Sequence, residues 1–154
     1  MPVTRLALAG LTLLTLAASA CDGSGACGDD VTVSHDANAP RVLDVSLVKQ
    51  LEQDTWTLVF SIDFEDANAD LDDGSVVFFL GRKSDSAATQ PLLPAFKQSA
   101  LEEGATSGTL ILPLRFDDGI SNGTKVDLGL QLVDRAALRS NCYGLALELE
   151  VNRR

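Results

Sequence analysis

The stretch DFEDANADLDDG, Asp63 to Gly74, holds six carboxylates and one Asn in twelve residues, with no Lys, Arg or His among them. Oxygen donors at that density are hard ligands, and calcium takes about six to eight of them. Asp66, Asn68 and Asp70 have an Asp-x-Asn-x-Asp spacing, which sets three side chains on one side of a tight loop. Asp72 and Asp73 are available to complete a shell. The EF-hand pattern does not apply. It needs Gly at the sixth loop position and a bidentate Glu at the twelfth, and counting from Asp66 those places hold Leu71 and Val77. A metal-free alternative stands beside calcium: short carboxylates in a turn accept hydrogen bonds from the turn's own N–H groups. Magnesium, which keeps its waters, fits less well than calcium.

Other chemistry is scarce. His35, the one His, sits in the polar stretch SHDANAP and reads as a solvated residue. No Ser-His-Asp or Cys-His arrangement is supported, no Gly-rich loop precedes a helix, and the cysteine spacing suits no zinc site. Carboxylate pairs suffice by residue type for glycoside hydrolysis, but that reaction needs a cleft with aromatic platforms. Trp56 and the phenylalanines fall instead at positions of core parity. No catalytic residue is assigned, and a carboxylate-based hydrolase is the last of the alternatives. The formal charge of −10 repels a phosphate backbone, so nucleic acid is not an expected partner. Arg82 and Lys83, beside SDSAATQPLLPAF, read as a solvated loop or a contact surface.

The chain opens MPVTRLALAGLTLLTLAASAC, where Arg5 is the one charge before an apolar run from Leu6 to Ala20. A positive start, a short apolar stretch and small residues before a break describe a signal peptide over residues 1–20, too short for the ~20 apolar residues of a spanning helix. Removing twenty of the 154 residues leaves 134, one domain's worth, and losing Arg5 takes the charge to −11. The end of this stretch, ASAC, resembles a bacterial lipobox, with Ala18 where that family usually has Leu. The resemblance implies lipid on Cys21, a flexible tether over 21–39 and a domain over 40–154. An ordinary A-x-A cleavage site that leaves Cys21 free is the alternative. If lipid consumes Cys21, Cys27 and Cys142 remain as an even set, and an oxidising compartment joins them. Otherwise Cys21 pairs with Cys27 within the tail, or the thiols stay apart.

The elements that must position the acidic stretch have a period of two. TWTLVFSIDF sets Trp56, Leu58, Phe60, Ile62 and Phe64 on one face. TKVDLGLQLVD does so with Val126, Leu128, Leu130 and Leu132, and YGLALELEV with Leu145, Leu147, Leu149 and Val151. GTLILPLRF aligns Leu110, Leu112, Leu114 and Phe116, with Pro113 marking an edge or a bulge. RVLDVSLVK and SVVFFL are shorter candidates, the second apolar on both faces. Turn signals separate them, among them DDG and the Asn122-Gly123 corner. PAFKQSALEEG allows a short helix near 94–103. The expected fold is all-β, a two-sheet antiparallel sandwich of about seven strands.

The proline-led first strand APRVLDVSL, the Trp-bearing second strand, the turn DANADL and the ending LVDRAALRSN before LALEL resemble bacterial immunoglobulin-like or fibronectin type III-like modules. Ala69 and Ala137 stand where those modules usually carry Gly. The resemblance implies that the turns 66–74 and 134–141 meet at one pole, together with Cys142 and the tail carrying Cys27, which makes Asp134 a further candidate ligand for the calcium shell. It also implies that Leu71 tucks into the core while the carboxylates cap backbone N–H groups. The function it leads us to expect is an exported, lipid-anchored cell-envelope module with a binding, adhesion or structural role and no catalytic activity. Its partners would be the membrane, through the lipid, and an envelope protein or glycan. A calcium-stabilised carbohydrate- or protein-binding module is the alternative.

Overall fold

The computed structural model describes residues 26–28, 31–51, 56–81, 87–116 and 124–149. The expected signal peptide, Cys21, Arg82, Lys83, the Asn122-Gly123 corner and Val151 lie outside the described residues, as do the side chains of Trp56, Phe116 and Leu149.

The six segments named from the sequence all become strands, five because period two buries one face of an extended chain and SVVFFL with both faces buried. A seventh, Ala87–Pro91, pairs with the third inside the stretch SDSAATQPLLPAF that reads as a solvated loop. In order they are β1 (Arg41–Leu51), β2 (Trp56–Glu65), β3 (Ser75–Leu80), β4 (Ala87–Pro91), β5 (Ser107–Phe116), β6 (Thr124–Val133) and β7 (Tyr143–Leu149). They form two antiparallel sheets, β1-β2-β5 and β4-β3-β6-β7, packed as a sandwich. The shared interior takes Leu58, Phe60, Ile62 and Phe64 from β2, Leu110, Leu112 and Leu114 from β5, and Leu128, Leu130 and Leu132 from β6, with Leu147 packed against them. Phe60 and Phe78 meet across the two sheets with ring centroids 6.3 Å apart. A fully buried phenyl ring contributes about 2–3 kcal/mol of transfer free energy, so rings shared between layers weigh heavily in holding them together.

Edges and ends follow from particular residues. Pro113 lies exposed on β5, the edge of the smaller sheet, where a missing N–H costs no ladder bond. Strand β1 is the other edge, broken by bulges between Val42 and Asp44 and between Leu47 and Lys49, and there Leu43 (48%) and Val48 (57%) reach solvent. A short helix α1 (Leu93–Gln98) has Pro94 in its first turn and buries Phe96 against Phe64, centroids 5.6 Å apart. It ends at Gln98, short of the 94–103 span expected from the sequence. Ala100 turns left-handed at φ 54°, while Leu101 N donates to Phe96 O and Ala100 N to Lys97 O, a Schellman closure.

Strand β3 is apolar on both faces, and both are covered. Val76 and Phe78 face the interior, whereas Val77 and Phe79 are buried on the outer side of the larger sheet, opposite Gln131 and Gly129 of β6. Against their cross-strand neighbours Gly129 and Gln131 lies the segment before β1, expected as a flexible tether. Ala26 is buried against Gly129, where an added Cβ would sit 3.0 Å from the Ala26 carbonyl oxygen. Gln131 Nε2 donates to Thr32 O at 2.7 Å and to Ser140 O at 2.8 Å. Ser34 N donates to Arg139 O, and Arg139 N to Ser34 Oγ. Cys27 and Cys142 form a disulfide, the pairing expected when Cys21 is otherwise engaged. Residues 26–28 and 31–40 are therefore a strap, fixed at several points to β6 and to the turn between β6 and β7. Among the described residues no helix is long and apolar enough to cross a membrane.

Candidate metal centre

Strand β2 delivers Asp66 to the pole of the sandwich, where its N–H donates to Thr106 O at 2.8 Å. Its Oδ2 accepts from the N–H groups of Asp70, at 2.9 Å, and Leu71, at 3.0 Å, closing the loop 66–71 on one carboxylate. Ala69 completes that closure with a left-handed φ of 58°. Leu71 is fully buried and opens a single 3-10 turn, Leu71–Asp73, so the loop hangs from the core by this side chain. Gly74 then passes so near β6 that a Cβ would lie 2.2 Å from Val133 O. This close approach sets the loop beside Asp134.

The second turn repeats the first. Asp134 Oδ1 accepts from Leu138 N at 2.8 Å, and Ala137 is left-handed at φ 65°. Asn68 Nδ2 donates to Asp134 Oδ2 at 3.3 Å and links the two turns. One carboxylate oxygen from each of Asp66, Asp70 and Asp134 lies within 4.8 Å of the other two. Asp66 is 1% and Asp134 4% exposed, and Asp66 Oδ1 and Asp70 Oδ1 are buried with no hydrogen-bond partner.

Three charges so placed repel each other by about 3 kcal/mol per pair at the outer limit of that spacing and an effective dielectric of about 20. Burial is the main cause that raises the Asp66 carboxyl above its ordinary 3.8; the charge of Asp134 adds to it, and the N–H bonds from Asp70 and Leu71 oppose it. Asp70 is raised as well, by desolvation first and then by the charges of Asp134 and Asp66, with Arg135 pulling weakly the other way. The cluster favours the arrival of positive charge, as a proton or as a metal ion. Its donors are all oxygen, with neither nitrogen nor sulfur, which is the chemistry of hard cations.

Of the six residues proposed from the sequence, Asp66, Asp70 and Asp134 meet in this group, and Asn68 joins through its amide. Asp72 and Asp73 lie on the 3-10 turn outside it, and Asp73 pairs with Arg135 at 3.4 Å, both side chains largely exposed. His35 is exposed. Sequence reasoning missed Gln131 and Asn141. Gln131 lies at an outward position of β6, and a polar residue there carries no sign that a strap will cover it. Asn141 pairs with Val42 through both polar atoms of its amide, accepting at 2.9 Å and donating at 3.0 Å, and so substitutes for a ladder partner at the edge of β1.

Fold and site together define a small antiparallel β-sandwich with a buried acidic cluster at one pole, able to hold a metal ion. Its disulfide indicates an extracytoplasmic location. The chain matches no protein-family model, no curated protein and no solved structure.

Proposed function

We propose that this chain is an exported, non-catalytic module of the bacterial cell envelope with an immunoglobulin-like or fibronectin type III-like sandwich, anchored by lipid on Cys21. In this reading calcium orders its loop pole for contact with an envelope protein or glycan. The observation that carries the calcium reading is the Asp66 carboxylate, buried with Oδ1 unpartnered beside Asp70 and Asp134. A buried, unpaired acceptor is costly, and a cation that it shares with two more carboxylates removes that cost. Calcium suits the set because carbonyls and waters can fill its remaining positions in irregular geometry. The disulfide and the apolar start ending in ASAC support export and the anchor.

Thermal unfolding of the mature protein tests the calcium reading. A ligand at about a hundredfold excess over its Kd adds about 2.7 kcal/mol, several degrees in Tm. Calcium is expected to raise Tm to a plateau and chelator to reverse it, while magnesium at equal ionic strength does not reproduce the effect. An unchanged Tm removes calcium from the reading. The intact mass of the membrane-extracted protein tests the anchor separately, through the presence or absence of acyl chains on Cys21.

A further inference from the structure

We propose that cation binding at Asp66, Asp70 and Asp134 and docking of the N-terminal strap are one coupled event, transmitted by the turn 134–140. The inference rests on the calcium reading above and adds to it a regulated partner, the chain's own strap.

The acidic cluster does not stand on its charges alone. Asp66 is 1% exposed, one of its oxygens lies within 4.8 Å of Asp70 and Asp134, and its Oδ1 is buried without a partner, a feature that itself asks for a ligand. From there the connections are continuous. Asp134 holds the β6–β7 turn at both ends, accepting from Leu138 N through Oδ1 and donating from its own N–H to Leu138 O at 3.1 Å. The next residue, Arg139, exchanges two hydrogen bonds with Ser34 of the strap and donates from Nη1 to Gln131 Oε1 at 3.3 Å. Gln131 in turn binds Thr32 of the strap and Ser140 of the same turn. Ser140 returns the turn to the sheet, its Oγ accepting from Leu132 N at 2.9 Å. The short turn whose first carboxylate faces the cation site thus presents, at its other end, the strap's polar attachment.

Without a cation, Asp134 is pressed by Asp66 and Asp70, and the turn has cause to open away from them. With a cation the three carboxylates draw together, and the turn is held in the geometry that receives Ser34 and braces Gln131, which holds Thr32. Linkage makes the effect reciprocal: what loosens the strap weakens the cation by the same factor. The disulfide keeps the strap attached in both states, so the change is in its order and not in its presence.

Hydrogen exchange followed by mass spectrometry on the mature, oxidised protein tests the coupling, in calcium, in chelator and in magnesium at matched ionic strength. Calcium is expected to slow exchange roughly tenfold in the strap peptide around Ser34 and in the turn around Leu138 and Arg139, and to leave the central β2 and β5 amides unchanged. Ser34→Ala, which removes the hydroxyl that accepts from Arg139 and touches no carboxylate of the cluster, is expected to weaken calcium binding about fivefold by calorimetry. Calcium that raises Tm yet leaves strap exchange and the Ser34→Ala affinity unaltered overturns the coupling and spares the calcium site. No calcium effect on Tm in the unsubstituted protein overturns both. Exchange in that protein decides the matter if Ser34→Ala proves unstable.

Discussion

Asp66 commits one carboxylate oxygen to two backbone N–H groups and keeps the other buried without a partner. The first role explains why an Asp stands here in any state of the protein, and the second why its charge is unwelcome in the metal-free one. Asp66 and Asp70 both titrate above 3.8 when folded, so between 3.8 and their folded values the native state holds protons that the unfolded chain has lost. Their contribution to metal-free stability is complete below 3.8 and declines as pH rises through the folded values. Asp70→Asn keeps the shape and removes one of the repelling charges. In chelator, urea unfolding should show the variant more stable than the parent at neutral pH, with the gap narrowing as the solution is acidified. In calcium the order should reverse, because the variant has lost a ligand. A gap that widens on acidification would contradict the direction assigned to Asp66 and Asp70.

The two polar turns are built alike: an Asp accepts N–H bonds from residues four or five places on, and an Ala takes a left-handed conformation in between. Ala69 at φ 58° and Ala137 at φ 65° each carry a Cβ where glycine has none, at a cost of about 1–2 kcal/mol. Glycine returns part of that gain by loosening the unfolded chain, roughly 0.4–1 kcal/mol. Ala69→Gly and Ala137→Gly should therefore each stabilise by about 0.5–1 kcal/mol, read as a rise in urea midpoint at unchanged slope. Because the turns also shape the cluster, either change should leave calcium binding intact or improve it.

Across the whole molecule the strap, the disulfide and the larger sheet form one unit. Val77 and Phe79 are buried on the outer face beside a segment whose grip comes from Gly129, Gln131, Arg139 and Cys142. The disulfide closes a separation of 115 residues, for which the chain-entropy model gives roughly 4–5 kcal/mol. Replacing Cys27 and Cys142 together by Ser should lower stability by up to that amount. It should also expose the outer face of β3, detectable as new binding of a hydrophobic dye under native conditions. If the double variant binds no dye, the strap stays down by its hydrogen bonds alone.

The strands were legible from the chain because alternation is a local property: Leu58, Phe60, Ile62 and Phe64 need only a second layer, whichever it is, to be buried. The Asp66-x-x-x-Asp70 half of the site was legible for the same reason, since both residues lie in one tight loop. Asp134 reached the candidate set only through a family resemblance, and spacing could not separate Asp70, which enters the cluster, from Asp73, which turns to Arg135. The strap was illegible. Its residues are polar and read as a tether, and their docking depends on an amide 99 positions away, from Gln131 Nε2 to Thr32 O. By itself the sequence determined the all-β character, the polar turns and the cysteines available for pairing, all set by neighbours along the chain. Only the tertiary structure decided which carboxylates share a space and which surface the N-terminal segment covers. Those outcomes depend on backbones brought within van der Waals contact at Gly74 and Gly129, where the absence of a side chain acts at long range.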